Sequence, residues 1–183
     1  MVTGKPDAGR TGSGRQTKPK KRVKQAKLEI GWREWVALPS LGVDRIKAKI
    51  DTGARTSALH AFEIRQTERN GQKYVRFSLH PVQHRRKPLV DCEARVIDER
   101  VVTSSSGERQ HRYVIETTVQ LGEASWPIEV TLTNRDELGF RMLLGRRAVR
   151  RRFLVDPGSS FKLSGKRSSR EANKSSGTRA RSE

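Results

Sequence analysis

Apolar and polar residues alternate with a period of two along most of the middle of the chain. Ile46, Ala48 and Ile50 are separated by Lys47 and Lys49, and Val75, Phe77 and Leu79 by Arg76 and Ser78. This spacing puts one face of an extended segment in a core and the other in water, which is the signature of a half-buried β-strand. Up to Leu79 no stretch repeats with helical spacing. A first extended segment, 28–39, ends at Pro39, and 40–44 turns the chain into the strand that reaches Asp51. Residues 58–65 read as the next strand, and Asn70-Gly71 supplies the dipeptide favoured in tight hairpins. After a basic loop between Pro81 and Pro88, 89–96 and 101–102 read as strands flanking a polar stretch. The clearest hairpin pairs 113–121 with 126–133. The segment 146–152 has good helix formers, and Phe153-Leu154-Val155 gives a last strand before Asp156-Pro157-Gly158. About eight short strands and one short helix predict an all-β fold, a closed or folded-over barrel. Trp32 and Trp35 are expected to anchor a core or an interface, because aromatic rings mostly serve to bury area.

Composition narrows this picture. With 183 residues and 33% hydrophobic positions the chain can build one core. The net charge is +19, and much of it sits at the ends. Residues 1–28 carry nine Lys or Arg against the single acid Asp7, and 163–183 carry six against Glu171 and Glu183. These ends are rich in Gly and Ser and almost empty of large apolar residues, so they are expected to be disordered tails around a domain at 29–162. Weak contact with RNA or ribosomes is one reading of the tails, and a solubilising role is the other. Cys92 is the only cysteine, which rules out an intramolecular disulfide and suits a reducing compartment. The N-terminus lacks the apolar run of a secretory signal or a membrane span, so a cytoplasmic location without membrane association is expected.

The candidate chemistry lies where the 46–50 strand ends. Asp51 is followed by Thr52, Gly53, Ala54, Arg55, Thr56 and Ser57. A carboxylate on a tight turn, with a small hydroxyl residue and a glycine behind it, is held stiffly and can be approached closely. Downstream stands Phe140-Arg141-Met142-Leu143-Leu144-Gly145-Arg146. An apolar strand delivering Asp-Thr-Gly, together with two leucines and Gly-Arg further on, resembles the single-lobe aspartic peptidases, the retropepsins. The run from Asp51 to Ser57 is most similar to a bacterial retropepsin-like family whose domain once carried the label "ATP-dependent zinc protease". The likeness covers roughly residues 30–161.

That resemblance implies a retropepsin-like barrel with one short C-terminal helix, and a peptide or protein as substrate. It implies Asp51, Thr52 and Gly53 as the catalytic loop and Ala54, Arg55, Thr56 and Ser57 as substrate-binding positions. Leu143, Leu144, Gly145 and Arg146 would pack beneath the loop, and a flap hairpin is expected at 101–113. Peptide hydrolysis by carboxylates needs two of them sharing a proton, whereas the chain has one Asp-Thr-Gly. Asp156-Pro157-Gly158 copies its spacing, but proline removes the hydroxyl and the amide hydrogen that would brace such a loop. An active enzyme should therefore be a homodimer in which Asp51 meets its twin. No cofactor or metal is expected. Retroviral enzymes place an acid where this chain has Arg55, so Arg146 lacks the partner the family pattern would give it and the site is more basic. Acidic or glutamylated substrates follow as an expectation. The resembling family is also associated with the RimK-type, ATP-grasp enzymes that add glutamates to a ribosomal protein.

Two other readings stand beside this one. A zinc-dependent protease would need ligands from His60, His80, His84, His111 and Cys92, which do not form the His-Glu-x-x-His pattern. ATP binding would need a phosphate-cradling Gly-rich loop ending in Gly-Lys-Ser/Thr, and Gly165-Lys166 is followed by Arg167. A non-catalytic RNA- or ribosome-associated β domain would use the tails together with the Arg85-Arg86-Lys87 and 146–152 clusters.

Overall fold

In the computed structural model the described residues are 1, 27–103, 107, 109–134 and 139–165. Most of both basic tails falls outside them. Ten strands carry the chain: β1 (Leu28–Leu38), β2 (Val43–Asp51), β3 (Ser57–His60), β4 (Phe62–Arg69), β5 (Gln72–Leu79), β6 (Val90–Thr103), β7 (Arg109–Leu121), β8 (Ala124–Thr133), β9 (Met142–Gly145) and β10 (Phe153–Ser160). A 3-10 turn, Pro39–Leu41, joins β1 to β2, and the single α-helix, α1, is Arg146–Val149. The fold is all-β with one short helix.

The strands hydrogen-bond in the order β10-β1-β2-β9-β3-β8-β7-β6-β5-β4, and β1 also touches β7 where Ala37 faces Gln120. That one residue pair bends the sheet into a partial ring. It falls short of the expected closed barrel because β6, β5 and β4 run on as a meander past the point of contact. The interior is filled by the apolar halves of the alternating strands. Ile46, Ala48 and Ile50 of β2 pack with Leu59, Leu132, Met142 and Leu144, all buried.

Several elements differ from the pattern reading, each for a reason of neighbours. The 58–65 stretch splits at Ala61, since β3 lies parallel to β8 while β4 pairs antiparallel with β5. The 89–96 and 101–102 segments are one strand, β6, whose register with β7 shifts between Val96 and Asp98. α1 ends at Val149. Arg150 already has extended angles and Arg151 has φ +66°, which returns Phe153 to the core beside Trp126, ring centres 5.3 Å apart. β10 continues through Asp156-Pro157-Gly158 as the edge strand, where proline's missing N–H is tolerated. Trp32 and Trp35 are half-buried on the outside of the sheet, and Trp126 is the tryptophan in the core.

β1 keeps its alternation and so puts a charged residue on the inward side: Glu34 is fully buried among Ile30, Val36 and Leu38. Its carboxylate accepts hydrogen bonds from the amides of Gly31 (2.7 Å), Lys162 (2.8 Å) and Ser164 (3.0 Å), and from the Ser164 hydroxyl. Burial alone would raise the Glu34 carboxyl. The hydrogen bonds from the Ser164 hydroxyl and from the amides of Gly31, Ser164 and Leu163 outweigh that and hold it below the usual glutamate range. This buried acid ties the segment after β10 to β1, and Leu163 packs against the core beside it.

Candidate active site

β2 and β9 run side by side and parallel, with Ile50 opposite Leu144 and Asp51 opposite Gly145. The two strands therefore end at one level, and both chains turn there. From Asp51 the loop passes through Thr52 to Thr56 and re-enters the sheet as β3, which pairs antiparallel with β9 at Ala58 and Leu143. β9 is held on both sides by the strands that enter and leave the loop.

The loop rests on the residues just beyond β9. The Arg146 amide donates to the Ala54 carbonyl at 2.8 Å, and the Arg147 amide donates to the Arg55 carbonyl at 3.1 Å. One residue earlier the Gly145 amide donates to the buried Ser57 hydroxyl at 3.2 Å, and Thr131 donates its hydroxyl to the Ser57 carbonyl at 3.0 Å. Gly145 has no room for a side chain: a Cβ there would lie 2.5 Å from the carbonyl carbon and oxygen of Thr56. Leu144 is buried in the core beneath, and Leu143 is half-buried beside Ala58. The Leu-Leu-Gly-Arg segment is thus the seat of the Asp-Thr-Gly loop.

On that seat Asp51 is partly exposed. Its Oδ1 accepts from the amides of Gly53 (3.1 Å) and Ala54 (3.0 Å), which fixes the carboxylate against its own turn. Its second oxygen takes no hydrogen bond from any described residue. Thr52, Gly53 and Arg55 are exposed, Ala54 and Thr56 half-buried, and Ser57 buried. Arg146, deprived of a carboxylate at position 55, extends its guanidinium toward the Thr52 carbonyl at 3.5 Å. The structure brings together Asp51 to Ser57 and Gly145-Arg146, while Leu143 and Leu144 support them from below.

Two residues at this site gave no signal in the sequence. Glu129 of β8 accepts from Arg147 (3.0 Å) and Arg100 (3.3 Å), and Arg100 of β6 also reaches the Thr56 hydroxyl at 3.4 Å and Asp98 at 2.6 Å. They link the helix, the loop and the base of the β6–β7 hairpin. The 101–113 stretch expected as a flap is the distal part of that hairpin, and residues 104–106 and 108 lie outside the described residues. The histidines and Cys92 are dispersed. His60 is buried, His111 faces Glu99 at 3.1 Å, and Cys92 is buried with its thiol toward the Leu41 carbonyl. Among the described residues no group of three His, Cys, Asp or Glu side chains is placed to hold a metal. None of the described helices is long and apolar enough to cross a membrane.

The profile described as retropepsin-like aspartic endopeptidase RimB, of the RimB-like family, matches residues 29–164. The chain belongs to the RimB-like family. Among relatives, a probable alpha-L-glutamate ligase of Shewanella pealeana is 53% identical over 137 residues, which is 75% of this chain and 30% of that protein. A probable alpha-L-glutamate ligase of Parasynechococcus marenigrum is 48% identical over 137 residues, again 75% of this chain and 29% of the relative. The aligned region thus spans less than a third of the length of these relatives. Among solved structures, a protein of unknown function from Legionella pneumophila superposes with a TM-score of 0.63 at 27% identity, covering 75% of this chain and 99% of the other.

Proposed function

We propose that this RimB-like domain is an aspartic endopeptidase that works as a homodimer, with Asp51 and its symmetry mate forming the catalytic pair. The observation that supports this most directly is the carboxylate of Asp51, half held by the Gly53 and Ala54 amides, half open, on an exposed loop present once per chain. Two such carboxylates facing across a two-fold axis would hold one proton between them, because like charges at close range repel. The ionised member takes a proton from water, whose oxygen attacks the scissile carbonyl carbon. The protonated member then donates to the amide nitrogen as the C–N bond breaks. Thr52 would fasten the two loops to each other, and exposed Gly53 would let the substrate backbone approach. The distal β6–β7 hairpin would lie over the cleft as a flap.

The rim is cationic. Arg55 and Arg146 are both exposed beside Asp51, and a peptide with acidic side chains is the substrate class they favour. The relatives in which this domain occurs within a longer chain are named probable alpha-L-glutamate ligases, which fits a substrate that carries added glutamates. A cytoplasmic setting suits the lone thiol of Cys92.

The test is cleavage of a glutamate-rich peptide by the purified chain. Asp51→Asn should lower kcat/KM by about 10³-fold or more while leaving the melting temperature intact. A statine-type mimic should inhibit, a chelator should not, and sedimentation should report a dimer. Undiminished cleavage by Asp51→Asn, or loss of activity to chelator alone, overturns the assignment.

A further inference from the structure

Several cations on the strands from β4 to β6 and on α1 are matched by acids. Arg69 and Arg76 share Glu93, Lys73 pairs with Glu99, and Arg100 and Arg147 share Glu129. The outward face of β1 and β2 is built differently. Register sets Arg33 opposite Lys49 and Trp35 opposite Lys47, and strand alternation places Arg45 on the side of Lys47 and Lys49. None of Arg33, Lys47 and Lys49 meets a carboxylate among the described residues. Like charges facing each other across two strands destabilise the pair, and burial together with the nearby Arg33 charge holds the Lys47 ammonium below the usual lysine range.

Aromatic rings are threaded between these cations. The Arg33 guanidinium lies 4.6 Å from the Trp32 ring centre and 5.2 Å from that of Phe161. Phe161 stacks on Trp35 with an interplanar angle of 16°, and the Arg45 guanidinium caps Trp35 at 4.7 Å. Lys47 stands 5.3 Å from the Phe140 ring, which meets Trp32 edge-on. All four rings are half-buried.

We infer that this face binds single-stranded nucleic acid. Phosphates sit on Arg33, Lys47 and Lys49, and bases lie against the stacked rings and guanidinium planes. A partner must supply repeating negative charge for the uncompensated cations and repeating flat surfaces for the aromatic ladder, and a nucleotide strand supplies both. An acidic peptide would satisfy the cations and leave the rings without a counterpart. The face lies on β1 and β2 and reaches to within two residues of Asp51 at Lys49, and its occupancy does not depend on peptide hydrolysis.

The experiment is fluorescence anisotropy of a labelled oligouridylate of about 16 nucleotides, the upper range of single-strand site sizes, titrated with the full chain at several salt concentrations. Lys47→Gln/Lys49→Gln should weaken binding roughly tenfold and reduce the slope of log K against log salt by about 1.4, the share of two phosphates on a single strand. Lys47→Arg/Lys49→Arg should restore both. Circular dichroism melts of both variants confirm that they are folded. The inference fails if the Gln variant binds like the parent, which would put the interaction on the basic tails. It fails equally if an oligoglutamate of matched charge competes as well as the oligouridylate, or if an abasic backbone of the same length binds as tightly.

Discussion

Replacing Gly145 by alanine puts a methyl group into the seat of the Asp51 loop. Gly145 has φ −73° and ψ 166°, angles open to any residue, so the substitution carries no backbone strain of its own. Its whole effect comes from contact. The new Cβ would stand 2.5 Å from the carbonyl carbon and oxygen of Thr56 and 2.9 Å from the Ser57 nitrogen. Ordinary carbon contacts lie near 3.5 Å, so the loop and β9 must part by roughly 1 Å. Those atoms are backbone and cannot swing aside as a flexible side chain would. Overpacking of this kind costs about 1–3 kcal/mol. The separation also stretches the Arg146-to-Ala54 and Arg147-to-Arg55 hydrogen bonds, each worth about 1 kcal/mol net. The expected loss is about 3 kcal/mol, read as a fall in melting temperature on the order of 10 °C. Because the displaced segment carries Asp51, peptidase kcat should drop about 100-fold, the penalty of a 1 Å misplacement. Urea denaturation followed by circular dichroism, alongside the cleavage assay, measures both. Gly139→Ala, where an added Cβ meets nothing within 4 Å, is the control and should change neither. A Gly145→Ala protein within about 0.5 kcal/mol of the parent and equally active would refute the view that this glycine carries the loop.

Glu34→Gln should lower stability by about 2–4 kcal/mol, because an amide nitrogen then faces backbone donors in a buried site. The folded-state pKa of Glu34 lies below its ordinary value of 4.5, so its contribution to stability is complete above that pH and is lost as the pH falls through the folded value. Acid unfolding curves should accordingly be shallower in the variant, and an unchanged acid midpoint and slope would count against the role given to this carboxylate. Cys92 is buried, and that burial, with the Asp91 charge beside it, pushes its thiol up to about 11. Iodoacetamide at pH 8 should therefore label it only after denaturant is added, and prompt labelling of the native chain would contradict this.

The period-two pattern was enough to make this an all-β chain and to say which side of most strands faces inward, because the alternation of side chains across a pleated backbone is a local property. Asp51 to Ser57 and Leu143 to Arg146 were singled out by a resemblance to a known family, which is legible because those motifs sit in short contiguous runs. Local pattern carries no information about which strand lies next to which. Only the folded sheet put β9 parallel to β2 and set Gly145 against Thr56. Only the fold separated β3 from β4, as each answers to a different neighbour. Arg100 and Glu129 read in sequence as two more charges on solvent faces, and they meet beside the loop because β6 and β8 both pair with β7, which sets the two side chains against each other. Glu34 is the sharpest case: alternation placed a charged residue on an inward position, and its burial is tolerable because of a set of amides from 162–164, distant along the chain and supplied by tertiary packing alone. The cation and aromatic ladder on β1 and β2 arises in the same way, from a register that no single strand encodes.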